Sequence, residues 1–236
     1  MAEHPLYLFA HIPKTAGQTL RRHFRRHIRP RERVIAVNAR DENAPGSTGA
    51  PAGPDRASCD LVVGHRVTLE ITREFPNRAH RFFTVLRDPV EHTISSYNWE
   101  AHQLYSSQGK KPPRFERWFR KRKCSLMAWW LISRFKKVPA EIHMLYSQER
   151  LLEEAGQLLD QFWLVACVEE LETSLGPVFE ALGIPTQLKV RRNVAGRDYP
   201  ILITRTPETE NLIREQATAD VALYARFCGP ANPARG

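Results

Sequence analysis

Leu6-Tyr7-Leu8-Phe9-Ala10-His11-Ile12-Pro13-Lys14-Thr15-Ala16-Gly17-Gln18-Thr19-Leu20 is the stretch that decides the fold. Five apolar residues rich in strand formers run into a loop punctuated by Pro13 and Gly17. Apolar residues then recur at Leu20, Phe24 and Ile28, with arginines between them. The unbroken run reads as a strand buried on both faces, and the four-residue spacing as an amphipathic helix. The alternation continues downstream. Val34–Val37, Leu61–Gly64 and Arg81–Leu86 read as further strands, and Pro89 suits the first turn of the helix that follows Leu86. Residues 114–135 and 140–160 read as helices and Phe162–Val168 as a last strand. Glu169–Leu182 reads as a helix stopped by Gly183 and Pro185, and Pro207–Phe227 as a final amphipathic helix. This pattern predicts an α/β fold, a central and mostly parallel sheet with helices on both faces. Residues 38–57, rich in Pro and Gly, read as a mobile loop.

The chain has 236 residues, enough for one domain with a core that needs no disulfide or metal staple. With 42% hydrophobic and 26% charged residues it has ordinary globular usage, which excludes disorder and fibrous repeats. Apolar runs such as Leu126–Ile132 are far short of the roughly 20 residues of a membrane helix, and the first residues lack the basic-then-apolar pattern of a signal peptide. A soluble, cytoplasmic protein is expected. Cys59, Cys124, Cys167 and Cys228 form no C-x-x-C pair and have no histidines at zinc-finger spacing; they read as reduced thiols, and no metal is expected. The net charge of +9 is uneven: the cation excess lies in residues 1–137, while the rest is net acidic. An anionic partner is drawn to the first part of the chain, be it a nucleotide, an acidic glycan, a nucleic acid or a lipid surface.

Ligands of open parallel sheets bind where strand ends lead into helix N-termini, and two such junctions carry anion chemistry. In His11–Thr19 a lysine, a glycine and two hydroxyl residues precede a helix whose free N–H groups and dipole face outward. Lys14 adds a charge, and Thr15 and Thr19 add hydroxyl donors. In Arg87–Tyr97 an arginine ends a strand and Ser95 lies two turns into the next helix, so a guanidinium fork and a hydroxyl can converge on one phosphate. Each junction alone also fits ordinary structure: an N-capped helix with a solvated lysine, or an ion pair of Arg87 with Asp88 or Glu91. Neither G-x-x-x-x-G-K-[ST] nor G-x-G-x-x-G is present, and there is too little glycine to wrap a triphosphate.

Together the junctions resemble the PAPS-dependent sulfotransferases, specifically the carbohydrate branch that includes heparan sulfate 2-O-sulfotransferases and related bacterial enzymes. The family's 5′-phosphosulfate loop is similar to H-I-P-K-T-G/A-G-T-S, which His11–Thr19 follows nearly throughout. Its 3′-phosphate motif is similar to R-D-P-x-x-R-x-x-S-x-Y, which Arg87–Tyr97 follows with His92 in place of the second arginine. More faintly, Val168–Leu175 and the D-x-x-L-Y of Asp220–Tyr224 resemble late stretches of the family. The resemblance implies a P-loop-like three-layer sandwich, a single sulfotransferase domain over residues 1–236 with a basic helical insertion around 106–139. It implies 3′-phosphoadenosine-5′-phosphosulfate (PAPS) as donor, no metal, and in-line sulfuryl transfer to a hydroxyl of a carbohydrate or glycoconjugate, acidic or lipid-linked. Lys14 would stabilise the departing phosphate, and N–H groups of Thr15, Ala16, Gly17, Gln18 and Thr19 would hold the 5′-phosphate. Arg87 and Ser95 would hold the 3′-phosphate, and Arg192 and Asn193 would sit in a basic loop over it and the adenine.

His65 follows a strand end in Leu61–His65, titrates near neutrality, and stands where 2-O-sulfotransferase relatives carry a G-H with the histidine as base. Those relatives resemble G-H-x-H, whereas this chain has Val67. Glu70 and His92 are the reserve bases. Residues 110–137 hold 11 Lys/Arg and one acid, Glu116, interleaved with Phe115, Trp118, Phe119, Trp129, Trp130 and Phe135. Three readings compete for this segment: a wall for an acidic glycan, a basic patch on an anionic membrane, or ordinary helices with aromatics inside and cations in water. The rival functions are a nucleotide-dependent, kinase-like phosphotransferase, disfavoured by the glycine-poor loop, and a non-catalytic glycan or nucleic-acid binder, for which no nucleic-acid motif is present.

Overall fold

The computed structural model describes residues 4–37, 58–122, 125–188 and 203–230. The loop expected at 38–57, Cys124, Arg192 and Asn193 lie outside the described residues. The chain divides into two compact units, one of residues 1–86 and 158–192, the other of residues 87–157 and 193–236.

The first unit holds the sheet. Its strands are β1 (Leu6–Ala10), β2 (Val34–Ala36), β3 (Leu61–Gly64), β4 (His80–Leu86) and β5 (Leu164–Cys167), in the spatial order β2-β3-β1-β4-β5. Among the described residues every pairing is parallel, where a mostly parallel sheet was expected. All five residues of β1, the middle strand, are buried, as its apolar run requires for a strand covered on both faces. On one face Tyr7, Phe9, Leu61, Val63, Phe83 and Val85 meet Leu20, Phe24 and Ile28 of helix α1 (Gly17–His27) and its C-terminal neighbour, together with Val178 and Phe179 of α7 (Gly176–Ala181). Phe9 and Phe83 stack with ring centroids 5.0 Å apart. The fold is α/β, a parallel sheet flanked by helices.

The second unit is helical. It contains α2 (Pro89–Gln108), α3 (Phe115–Arg122), α4 (Leu126–Phe135), most of α5 (Gln148–Leu159), α8 (Pro207–Gln216) and α9 (Thr218–Cys228). Val90, Ile94 and Tyr97 of α2 form one core with Phe115, Trp118 and Phe119 of α3 and Ile213 of α8. Asn98 clamps Ile203 by both its backbone groups, each bond 3.0 Å long.

Several expected helices are broken. Residues 140–160 form a 3-10 turn (Ala140–Leu145) and then α5, because the Ser147 hydroxyl accepts from the Arg150 N–H and starts a new helix. Pro207–Phe227 splits at Ala217 into α8 and α9. Glu169–Leu182 becomes a 3-10 turn, α6 (Leu171–Ser174) and α7, since the Ser174 hydroxyl bonds back to Cys167 and Pro177 has no N–H to continue the ladder. Cys59 is free and buried, its thiol pushed up to about 11 by burial. Cys167 was expected as a reduced thiol and is disulfide-bonded, and the same holds of Cys228; sequence spacing does not reveal such bonds.

Candidate functional site

β1 and β3 are neighbours, and Ala10 stands opposite Gly64, so the next residues of each, His11 and His65, leave the sheet side by side. A Cβ on Gly64 would overlap the Val37 carbonyl, and the residue sits at φ 154°, so the strand end needs glycine. The His11 N–H donates to Gly64 O at 3.2 Å, and His65 Nδ1 lies 2.7 Å from His11 O. A carbonyl can only accept, so Nδ1 carries a proton and the neutral ring keeps its lone pair on Nε2. That is the tautomer a general base needs. The His11 ring stacks on His65 with centroids 4.2 Å apart and on Phe9 at 5.6 Å. Burial first, and then the positive charges of His65 and Arg21, lower the His11 pKa to about 3, so His11 stays neutral. It is a fixed part of the loop.

Beyond His11 the chain passes through two left-handed residues, Lys14 (φ 69°) and Ala16 (φ 62°). Each such non-glycine residue costs on the order of 1–3 kcal/mol and persists only where its surroundings enforce it. Here the buried Thr15 hydroxyl donates to Ile12 O at 2.8 Å, and Thr84 donates to Ala10 O at 2.7 Å from the neighbouring strand. The hydroxyl expected to donate to a phosphate is therefore committed to the loop, and Thr15 can donate only through its backbone N–H. Ala16 is the N-cap of α1, which has no side-chain cap and no acidic residue in its first turn. A left-handed residue leading into a helix N-terminus is how backbone N–H groups are gathered to receive an anion. Gly17 and Gln18 follow at the start of α1, and Thr19 is buried.

The junction of the second unit is built differently. Asp88 caps α2 with its own carboxylate, accepting from Val90 N at 3.1 Å and Glu91 N at 3.0 Å, with Pro89 in the first turn. Arg87 lies 3.4 Å from Glu91, the ion pair that its sequence context allowed, so an anion taken by Arg87 competes with that carboxylate. Ser95 is half-buried on α2. Of the reserve bases, His92 is buried on α2, and Glu70 is exposed on the 3-10 turn Leu69–Glu74.

Sequence reading passed over three groups. Arg205 and Arg214 reach Asp88 at 3.4 and 3.7 Å, and Glu210 holds both arginines at 2.7 Å; ion pairs over 117 residues leave no local signal. Arg66, beside His65, buries Nη1 without a hydrogen-bond partner among the described residues; its neighbourhood to a G-H strand end was the available hint. Asp220, seen only as part of D-x-x-L-Y, is fully buried and accepts from Met127 N at 3.0 Å and Ala128 N at 2.8 Å, capping α4 from α9.

No protein-family model and no curated protein sequence matches the chain. Among solved structures, a sulfotransferase from Alicyclobacillus acidocaldarius is similar, with a TM-score of 0.51 over 94% of each chain at 13% sequence identity. At that identity the likeness shows the fold, and the chemistry rests on the residues.

Proposed function

We propose that the chain is a PAPS-dependent sulfotransferase acting on a hydroxyl of a carbohydrate or glycoconjugate. The observation that carries the reading is the β1–α1 loop. Lys14 and two left-handed residues lead into a helix N-terminus with no cap of its own, beside a histidine whose Nδ1 is tied to a backbone carbonyl. The similarity of fold to a bacterial sulfotransferase supports it.

In this reading the 5′-phosphate of the donor lies on the N–H groups of Thr15–Thr19. Arg87 and Ser95 take the 3′-phosphate, and Arg192 and Asn193, outside the described residues, are assigned by resemblance to the loop over it. The acceptor oxygen attacks sulfur as the S–O bond to the phosphate breaks. His65 Nε2 takes the hydroxyl proton, and Lys14 neutralises charge on the departing phosphate. The products are a sulfate ester and 3′-phosphoadenosine-5′-phosphate. No covalent enzyme intermediate is needed; positioning and charge stabilisation supply the rate, as in phosphoryl transfer.

Calorimetry with 3′-phosphoadenosine-5′-phosphate against adenosine monophosphate tests the donor. Binding that is at least about tenfold tighter with the 3′-phosphate, and loses that preference in Arg87→Ala, is expected, since a charge-assisted contact is worth about 1.5–3 kcal/mol. Lys14→Ala should lower turnover by roughly two to three orders of magnitude, the usual scale for losing a group that stabilises transition-state charge. Equal affinity for the two nucleotides would overturn the reading.

A further inference from the structure

The cation-rich stretch 110–137 keeps most of its aromatics inside: four of the six are buried, and Trp129 and Trp130 are half-buried. Phe115, Trp118 and Phe119 of α3 are buried with Tyr97, the rings of Phe115 and Phe119 stacking at 5.5 Å. Phe135 is buried, and Trp129 packs on His143 at 4.3 Å and Tyr146 at 5.6 Å. A sugar-stacking wall would need such ring faces exposed. Some cations are engaged as well: Arg122 pairs with Glu100 and lies over Trp118, and Lys136 pairs with Glu154.

What α3 and the residue before it turn outward is Arg114, Arg117, Arg120 and Lys121, all exposed, around an open concavity of about 540 Å³ that Glu116 and Met144 also line. Met144 brings an apolar edge with it. The 3-10 turn Ala140–Leu145 exposes Ile142 by 37%, Met144 by 52% and Leu145 by 75%. Half of the large apolar side chains exposed among the described residues therefore fall within one turn, against a cluster of four cations and one acid. An acidic glycan would satisfy the cations and leave the aliphatic side chains in water. An anionic bilayer surface satisfies both, with phosphates for the guanidinium groups and the headgroup–acyl boundary for Met144 and Leu145.

We propose that this face of the helical unit, the outer side of α3 with Ile142, Met144 and Leu145, docks the protein on an anionic lipid surface. The proposal stands independently of the sulfotransferase reading.

Co-sedimentation with phosphatidylcholine vesicles, with and without phosphatidylglycerol, tests it. Binding to the anionic vesicles alone, weakening with salt, is expected. Arg117→Ala with Arg120→Ala should reduce partitioning roughly 25-fold, at about fivefold per cation. Met144→Ser with Leu145→Ser should reduce it roughly tenfold while leaving retention on soluble heparin unchanged. Those two side chains are exposed, so the melting temperature should be unaltered. Absence of vesicle binding, or binding that the Met144 and Leu145 substitutions do not touch, would overturn the proposal. Heparin retention without vesicle binding would assign the face to an acidic glycan.

Discussion

A Cβ on Gly17 would overlap the His11 imidazole, so position 17 is glycine for want of space. Gly17 is the first residue of α1, directly after the loop that turns at Lys14 and Ala16, and the His11 ring that meets it stacks on His65. Gly17→Ala must therefore push the His11 ring out of its stack. It is expected to cost about 1–3 kcal/mol, the usual scale of overpacking, and to weaken nucleotide binding. Adding His11→Ala should return most of the lost stability in urea unfolding without restoring binding. Equal stability of wild type and Gly17→Ala would mean that the ring is not held there. His11, Lys14, Gly17 and His65 were all legible in the sequence as residue types at a strand end. Their contact was not, because spacing along the chain says nothing of a histidine ring lying over a glycine six residues on.

The two strand–helix junctions start their helices in opposite ways, and this sets opposite signs for two substitutions. Ala16, left-handed at the start of α1, carries strain that glycine would relieve, so Ala16→Gly should gain about 0.5–1 kcal/mol in chemical denaturation. Asp88→Ala should lose about 1–2 kcal/mol, because it removes the α2 cap and takes one carboxylate from both Arg205 and Arg214. A loss at both positions would refute the strained, uncapped description of α1. The strands β1, β3 and β4 and the start of α2 at Pro89 were legible because apolar runs and proline act locally. The helix ends were less so. Residues 114–135 carry one continuous pattern, yet α4 begins anew at Leu126 because Asp220, some ninety residues away, accepts its first N–H groups, and Ser125 bonds Gln148. Such caps are tertiary, and no window of sequence contains both partners.

At the scale of the whole molecule, two buried groups give opposite pH dependences that conceal each other. His11 has a pKa of about 3 in the folded chain against 6.5 for an ordinary histidine, chiefly through burial. Between those values the unfolded chain binds one more proton, so this group makes stability rise with pH by about 1.4 kcal/mol per unit. Asp220 is pushed up to about 7 by burial, against the N–H groups of α4 that pull it down, from an ordinary 3.8. Between 3.8 and 7 the folded chain binds the extra proton, so this group makes stability fall with pH at the same slope. In a single cooperative unfolding transition the two slopes cancel between pH 3.8 and 6.5. Removing either group unmasks the other. Relative to wild type, His11→Asn should lose stability as pH rises through that window, and Asp220→Asn should gain it. The double substitution should restore the wild-type slope at a lower level, since Met127 N and Ala128 N bond different oxygens of Asp220 and asparagine puts an NH2 donor in place of one of them. Thermal unfolding of the four chains at half-unit steps of pH measures this, and parallel curves for all four would show that neither group is shifted as described.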